Sequence, residues 1–374
     1  MKAGIWMRLR GLIHKETLQI LRDPSSIAIA FLLPAILLLL FGYGVSLDAK
    51  HVALGIVVEQ PSAAASSFTA QFSNSPYFTP RNFPNADAAQ TALSHETISG
   101  FVWLRGDFAR RLAAGKSPDI GVFVDGINAN NARLIENYVQ QSWAIWIASQ
   151  ATASGVADPV PIAVQPRIWF NPAVRSRDYL VPGLIAVIMT LTGALLTALV
   201  VAREWERGTM EALMVTRVSM NEILVSKVVP YFVLGMSGMV MAVAIAVFLF
   251  GVPLRGSLLV LTFAASLFML ASLGMGLLIS TVAKNQFVAG QIAIITTFLP
   301  AYILSGFIFD IGTMPAPIQM ITHIVAARYF VAILQSLFLA GTVWSVLLPN
   351  LLALLVMAIF FLGAARLAAR KRLD

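Results

Sequence analysis

The charged residues of one short segment, 203–213, have the spacing in this sequence that most suggests a function. The segment reads Arg-Glu-Trp-Glu-Arg-Gly-Thr-Met-Glu-Ala-Leu, so opposite charges alternate before an interrupting glycine. Gly208 breaks the first helix, and Thr209 is suited to cap a short second one. Ser219 and Glu222 then have the capping-box spacing that begins another helix. This charged helix–turn–helix pattern favours docking of a protein partner, although a solvated loop with internally paired charges has the same composition.

Nucleotide and metal chemistry find little support elsewhere in the chain. Gly115-Lys116-Ser117 imitates the end of a phosphate-binding loop, but the position five residues earlier is Arg110 instead of glycine. Cysteine is absent, which excludes disulfides and thiolate metal sites. The histidines lack metal-ligand spacing; they are His14, His51, His95 and His323. We therefore expect no catalytic, cofactor or metal site in this chain.

The composition is that of a membrane protein. Hydrophobic residues make up 58% of the 374 positions and charged residues 12%, whereas soluble domains carry about 25% charged residues. The net charge of +8 would suit nucleic-acid binding, but the basic residues lie mainly at the ends of apolar blocks. That placement is typical of contact with a lipid bilayer, and we expect no nucleic-acid partner.

Six stretches without charged residues or histidine are long enough to cross a bilayer, which takes about 20 residues of helix. The fold class predicted is therefore an α-helical membrane protein with six transmembrane helices. Within residues 329–365, the second half, 343–363, is the better span, and residues 329–339 are expected only to dip into the membrane. The predicted spans are 24–47, 179–202, 228–254, 256–283, 286–309 and 343–363.

Basic residues in the short loops set the orientation. One side of the predicted membrane carries Arg255 and Arg328 outside a long domain. The other side carries many more: Lys2, Arg8, Arg10, Lys15, Arg22, Arg203, Arg207, Arg217, Lys227, Lys284, Arg366, Arg370, Lys371 and Arg372. Because the richer side is cytoplasmic, both termini, including the basic tail 366–374, are expected in the cytoplasm.

Residues 48–178 have ordinary polarity and predict an inserted α/β or α+β domain between the first and second spans. On this orientation the domain lies outside the cytoplasm. Val- and Ile-rich runs predict the strands, and amphipathic runs between them predict the helices. The predicted strands are 52–58, 100–104, 120–124 and 164–170; the predicted helices are 62–72, 86–93, 108–114 and 129–151.

The N-terminal segment, residues 1–23, is predicted to be an amphipathic helix. Arg8, Lys15 and Arg22 recur every seven residues on one face. The apolar residues that gather on another face are Trp6, Leu9, Ile13 and Ile20. This pattern fits a helix in the membrane interface, and also a helix packed on its own protein. Asp23 and Pro24 are a suitable N-cap and first residue for the first span.

The middle of each predicted span lacks the ionisable residues that ion-coupled transporters usually place there. This argues for an energy source outside the chain. A secondary transporter remains an alternative because carbonyl groups alone can hold sodium, and so does a membrane receptor or assembly scaffold. Polar residues within the spans are candidates for lining a transport route: Thr190, Thr197, Gln291, Thr297, Tyr302 and Ser305.

The charged segment and several other motifs resemble the type-2 permease family of ABC transporters, in its exporter branch with a large periplasmic domain. The resemblance covers essentially the whole chain, including the N-terminal helix and the inserted domain. Ala326 stands where members tend to carry proline. The matching motifs are residues 203–213, Tyr-Leu-Val-Pro-Gly-Leu-Ile at 179–185, Met-Pro at 314–315, Ala-Arg-Tyr-Phe at 327–330 and, more loosely, Phe-Leu-Ala-Gly at 338–341.

The resemblance implies a drug-efflux-like permease of the bacterial inner membrane, exporting a hydrophobic or amphipathic substrate such as a drug, lipid or polymer. Separate cytoplasmic ABC ATPase subunits would bind the ATP and Mg²⁺. A second permease copy or paralogue and a periplasmic adaptor (membrane fusion) protein are further expected partners. Within the five-span region 179–365, a coupling loop at 203–226 would receive the ATPase's motion, and an outer re-entrant segment at about 310–342 would help close the pathway.

The resemblance also assigns roles to individual residues. The connecting-helix residues are Arg8, Lys15 and Arg22. The coupling-loop residues are Arg203, Glu204, Glu206, Arg207, Gly208, Thr209, Glu211 and Leu213. The outer-gate residues are Pro315, Arg328, Tyr329 and Phe330.

Overall fold

The chain forms two compact units in a computed structural model. The first, which we call the membrane unit, comprises Met1–Ser46 and Ile168–Asp374; the second, the sheet unit, comprises Leu47–Arg167. The residues described are 2–44, 52–75, 77–95, 97–116, 118–125, 129–153, 175–216, 218–283 and 285–368.

Six helices of the membrane unit are long and apolar enough to cross a bilayer, as the sequence predicted, or seven spans result if one bent pair is counted as a span. The bent pair, Ala316–Thr322 and Ala326–Ala340, turns by 83° within the segment predicted to be re-entrant. Its bend forms with Ala326, not proline, at the start of the second helix. The first to sixth spans are Pro24–Gly44, Arg177–Glu206, Met220–Leu249, Leu258–Ala283, Gln286–Leu304 and Trp344–Ala368.

Two further helices flank these spans: the N-terminal helix, Lys2–Leu21, and the short helix, Thr209–Val215. A 3-10 turn spans Ile311–Thr313. Wider π-helical turns interrupt three spans and the bent pair, at Ala28–Leu32, Ile245–Leu249, Ile294–Phe298 and Ser336–Ala340.

Most spans begin or end at residues other than those predicted, among them the third and the fifth. The third span begins at Met220, not residue 228, because the Ser219–Glu222 capping box starts the helix earlier. Its first turns therefore carry Glu222 and Lys227. The fifth helix ends at Leu304, not residue 309, and Ser305 is its C-cap. The Asp23 cap of the first span is confirmed, since its carboxylate accepts hydrogen bonds from the Ser25 and Ser26 amides.

The second span is the most deeply buried of the six and packs along the fourth. Glycine allows the two backbones to approach: a Cβ added at Gly276 would lie 2.2 Å from the Ala194 carbonyl oxygen. The first and third spans meet in the same way, because a Cβ at Gly238 would lie 2.3 Å from the Ala30 oxygen. Pro34 has no N–H to donate to the Ala30 carbonyl four residues back.

The sheet unit contains a four-stranded sheet in the order β2-β1-β3-β4. Its strands are β1 (Val52–Val58), β2 (Phe78–Phe83), β3 (Gly100–Leu104) and β4 (Ile120–Val124). The β1 strand pairs in parallel with β2 and β3, and β4 pairs antiparallel with β3. The strand predicted at 164–170 lies outside the described residues, while β2 was not predicted. Its Pro80 is tolerated because β2 is an edge strand among the strands described.

Helices cover both faces of this sheet, as expected for an α/β unit. Ala63–Ser73, Phe108–Ala113 and Ala129–Ala153 pack on one face around the buried side chains of Phe68 and Trp146. Ala86–Ser94 packs on the other face, through Ala89 against Phe101.

The phosphate-loop imitation ends a helix, whereas a true phosphate-binding loop precedes one. Gly115 adopts a left-handed φ of 69° just after Phe108–Ala113. The amide of Lys116 donates back to the Arg111 carbonyl, closing the helix C-terminus. This local geometry is that of a helix stop signal.

Candidate functional site

The charged segment 203–213 folds into the end of the second span, a sharp turn and the short helix. Gly208 provides the turn with a left-handed φ of 67°, a conformation that glycine adopts without steric cost. The prediction that Thr209 caps the short helix is wrong: Gly208 occupies the N-cap, and no side chain caps it. Thr209 is the first helical residue, and its hydroxyl donates back to the Glu204 carbonyl at 3.2 Å. The glycine turn displaced the cap by one residue.

Four charged side chains meet at the cytoplasmic side predicted for the membrane unit, and we call them the charge cluster: Lys15, Glu16, Glu204 and Lys227. Lys227 Nζ lies 3.1 Å from a Glu16 oxygen and also pairs with Glu204. Lys15 Nζ lies 2.8 Å from Glu204 and 3.0 Å from Glu16. Two lysines thus balance two glutamates.

Three members of the charge cluster are buried, whereas Lys15 is exposed. Lys227 and Glu16 are 1% exposed and Glu204 is 3% exposed. Buried charges of this kind depend on their partners, because removing one leaves another uncompensated at a cost of about 3–5 kcal/mol. At the more accessible Lys15, burial lowers the pKa, but hydrogen bonding and attraction to Glu204 and Glu16 outweigh it and raise the pKa above its ordinary value. The cluster joins the N-terminal helix to the second and third spans.

A second set of contacts, the Arg203 junction, comprises Asp23, Ser25, Arg203, Glu206 and Gln286. The Arg203 guanidinium lies 2.9 Å from the Asp23 carboxylate and donates to the Ser25 hydroxyl at 2.9 Å and to the Gln286 amide oxygen at 3.1 Å. Glu206 accepts from the Gln286 backbone N–H at 3.0 Å and from its side chain at 2.6 Å. The junction therefore ties the end of the second span to the beginnings of the first and fifth.

The Asp23 carboxylate is held in its charged form. Burial opposes this, but hydrogen bonds from Ser25 and Ser26 and the charge of Arg203 outweigh it and lower the pKa of Asp23 to about 2. One side chain thus caps the first span and anchors the second.

The N-terminal helix also pairs with the capping box of the third span, since Arg8 lies 3.0 Å from Glu222. Glu222 in turn accepts from the Ser219 backbone N–H at 2.6 Å. Together with the Glu16–Lys227 pair, this contact shows that the N-terminal helix and the third span run side by side in the same direction. Two of the three predicted connecting-helix residues, Arg8 and Lys15, therefore point at acidic side chains of the chain itself.

A groove of about 370 Å³ lies between the N-terminal helix, the end of the second span and the short helix. Arg207, Thr209 and Leu213 line it together with Lys15 and Arg203. The groove brings together several residues predicted for the coupling loop.

The short helix itself has one buried and one exposed face. Met210 packs into an apolar cluster with Ile223, whereas Glu211 is exposed. Val215, an apolar residue, is 76% exposed at the end of the helix. An exposed apolar side chain among charges is suited to contact with a protein.

The predicted outer-gate residues lie in or beside the bent pair. Pro315 is the N-cap of Ala316–Thr322. Arg328 contacts the Thr322 hydroxyl, and the Tyr329 hydroxyl donates to the His323 carbonyl at 3.0 Å. Phe330 is fully buried and stacks on Phe268 with ring centroids 4.1 Å apart, so it anchors the bent pair to the fourth span.

Five of the six residues predicted to line a route belong to the second and fifth spans, and Ser305 is the C-cap of the fifth. Thr190 and Thr297 donate to carbonyls one turn back in their own helices. Thr197 donates to the Leu273 carbonyl of the fourth span at 2.8 Å. The other three are Gln291, which is exposed, Tyr302, which is half-buried, and Ser305, which is buried. Their role in transport stays a prediction.

Sequence reasoning did not name Glu16, Asp23, Glu222, Lys227 or Gln286 as site residues, although Glu222 lies within the predicted coupling loop 203–226. Their signal was present in part, because charged residues are scarce in this chain and Asp23 and Glu222 stand at helix starts. Capping explained those two residues locally. Their additional partners lie far away in the sequence, and local patterns do not reveal such pairs.

Known proteins resemble this chain over nearly its full length. A family model described as ABC-2 family transporter protein matches residues 24–367. The chain is 47% identical over 370 residues to a protein of Escherichia coli K12 named "Probable multidrug ABC transporter permease YbhS", covering 99% of this chain and 98% of that one.

Two further E. coli K12 relatives are more distant. The protein named "Probable multidrug ABC transporter permease YbhR" is 30% identical, covering 92% of this chain and 94% of its own length. "Inner membrane transport permease YhhJ" is 27% identical, covering 89% and 91%. Permease subunits of this kind span the membrane several times, are not enzymes by themselves, and imply an ATPase partner. The chain belongs to the ABC-2 family of transporter proteins.

Proposed function

We propose that this chain is the permease subunit of an exporter in a bacterial inner membrane, powered by a separate cytoplasmic ABC ATPase. The substrate class is hydrophobic or amphipathic, which the multidrug names of the two most similar relatives described above support. The observation that carries the proposal is the charge cluster with its neighbouring short helix. Together with the Arg203 junction, they connect one compact contact surface to four of the six spans.

The ATPase docks on the exposed face of the short helix and the adjoining groove. Glu211 and Val215 offer a charge and an apolar contact there, and Arg207 lies at the groove. A push on the short helix reaches the second span through the Gly208 turn. From Glu204 and Arg203 it reaches the first, third and fifth spans through ion pairs and hydrogen bonds. This arrangement suits a coupling element, because these contacts already join the second span to the first, third and fifth. A displacement of the second span is therefore passed directly to the other three.

Because the ATPase is cytoplasmic, the proposed docking surface also fixes which side of the membrane the remaining parts of the chain occupy. Both termini lie in the cytoplasm, as the basic short loops favour. The sheet unit lies in the periplasm, where it is suited to meet an adaptor protein. A second copy of this chain or a paralogue completes the membrane part. Pro315, Arg328, Tyr329 and Phe330 belong to the outer gate.

The test uses the full chain reconstituted in liposomes with its cognate ATPase. Exchanging both exposed contacts, Glu211→Lys with Val215→Asp, is expected to reduce permease-dependent ATP hydrolysis and ATPase co-purification at least about ten-fold. A ten-fold loss of affinity needs only about 1.4 kcal/mol from the reversed charge and the new charge together. Arg366→Glu is the matched control, because it reverses an exposed charge at the end of the sixth span, outside the docking surface.

Two results would contradict the proposal. One is normal ATPase binding by the doubly substituted chain with the control also normal. The other is substrate transport by the permease alone, driven by a proton or sodium gradient, which would make the chain a secondary transporter.

A further inference from the structure

A second groove, of about 570 Å³, runs along the outside of the first span. Ala28, Phe31 and Ala35 recur at helical spacing along it, and Met241 of the third span contributes to its lining. The small side chains of Ala28 and Ala35 form the open part of the groove, and the larger side chains of Phe31 and Met241 form its sides. From Pro24 to Ala35 the groove follows about 16 Å of helix, close to the roughly 15 Å depth of one bilayer leaflet.

The mouth of this groove carries a cation, Arg22. Arg22 lines the groove beside Pro24, is exposed, and makes no ion pair among the residues that the structure describes. The neighbouring Asp23 carboxylate forms its ion pair with Arg203 and its hydrogen bonds with Ser25 and Ser26. Arg8 and Lys15 differ from Arg22 in that both are paired with glutamates of the chain.

We propose that this groove binds one acyl chain of an anionic phospholipid, with the lipid phosphate on Arg22. The charge and the apolar length are arranged in the order that such a lipid presents them: an anion at the interface, then hydrocarbon of one leaflet's depth. Arginine suits the headgroup because its planar guanidinium donates two hydrogen bonds to a phosphate.

The π-helical turn Ala28–Leu32 forms part of the same wall. A π turn widens the helix by one residue and shifts the side chains that follow it. The turn contains Ala28, Phe31 and Leu32, which line the groove. The site rests on the membrane location of the chain and does not depend on ATPase docking.

The experiment uses the full chain in nanodiscs that contain a phosphatidylglycerol or a phosphatidylcholine probe with a photoreactive group on the acyl chain. After illumination, labelled peptides are identified by mass spectrometry. We expect label on residues 27–35 and on Met241. Phosphatidylglycerol should label these positions about five-fold more than phosphatidylcholine, the preference that one basic side chain gives for an anionic lipid.

Variants separate headgroup binding from chain binding. Arg22→Gln is expected to lower phosphatidylglycerol labelling about five-fold, and Arg22→Lys to restore most of it. Arg10→Gln, which removes an exposed cation of the same helix outside the groove, should leave labelling within about two-fold of wild type. Ala35→Phe fills the groove and should abolish labelling by both probes, whereas Ala368→Phe adds the same ring at an exposed site elsewhere.

A size-exclusion profile that matches wild type confirms that a variant is folded. If Arg22→Gln does not fold, the proposal is tested by Ala35→Phe and by the comparison of the two lipid probes on the wild type. Equal labelling by the two lipids would overturn the proposal, as would labelling that survives Ala35→Phe. A disulfide-linked dimer formed by Ala35→Cys, without labelling of the wild type, would also overturn it by showing that a second copy fills the groove.

Discussion

The two ends of the membrane unit are held by different interactions. At the end that carries the N-terminal helix, Lys227 and Arg203 form ion pairs that join helices far apart in the sequence. Toward the other end, apolar contacts dominate, such as the stacked rings of Phe330 and Phe268. Ion pairs fail when one partner is removed, whereas apolar packing weakens gradually with lost volume. At the charged end, therefore, a large share of the free energy of unfolding depends on a few residues, and replacing any one of them is costly.

The substitution Lys227→Met is expected to have the largest effect, because it keeps most of the side-chain volume but leaves Glu16 and Glu204 with Lys15 as their remaining cation in the cluster. The expected loss in free energy of unfolding is about 3–5 kcal/mol. It is measured as the fall in the thermal unfolding midpoint of the purified chain in detergent.

Pairing Lys227→Met with Glu204→Gln serves as the control, since it removes one charge of each sign. The double variant should recover part of the lost stability, as expected for groups in direct contact. Losses that simply add would show that the two side chains act independently.

At the apolar end, Phe330→Leu is expected to cost less, about 1.5 kcal/mol, because it retains most of the buried apolar volume. The same unfolding measurement in detergent gives the comparison. If Phe330→Leu destabilises the chain as much as Lys227→Met, the contrast between the two ends is wrong.

The smallest effect concerns the pH dependence of the Arg203 junction. The folded-state pKa of Asp23 is lowered from 3.8 to about 2, so the stabilisation is fully present above the unfolded value and is lost as pH falls through the folded one. The difference in unfolding midpoint between wild type and Asp23→Asn should stay constant from about pH 7 to 5 and shrink between about pH 4 and 2. Shrinkage already between pH 7 and 5 would contradict the junction.

Sequence reasoning succeeded where the cause of a structure is local. The first and third spans begin at caps that a few adjacent residues specify, Asp23 with Pro24 and Ser219 with Glu222. Apolar length alone indicated the six spans. The edge strand β2 was missed because Pro80 disfavours a strand locally, and its parallel pairing with β1 compensates for that residue.

The candidate site was predictable only in part, for the same reason. Glu204 and Arg203 stand in a motif that is visible in the sequence, but Glu16 and Lys227 are separated by 211 positions. Their pairing depends on how the N-terminal helix lies along the third span, which no residue near Glu16 specifies. The prediction that Thr209 caps the short helix was wrong for a local reason: Gly208, in its left-handed turn, occupies the N-cap position.

The distance in sequence between Glu16 and Lys227 also bears on how the protein is made. At about 5–20 residues per second, a ribosome needs about 10–40 s to add the 211 positions that separate the two residues. During that interval Glu16 has been synthesised, but its buried partner has not. The N-terminal helix therefore completes its docking late, after the third span has begun to emerge. A nascent chain stalled before Lys227 holds Glu16 and Glu204 without the buried lysine that pairs with both.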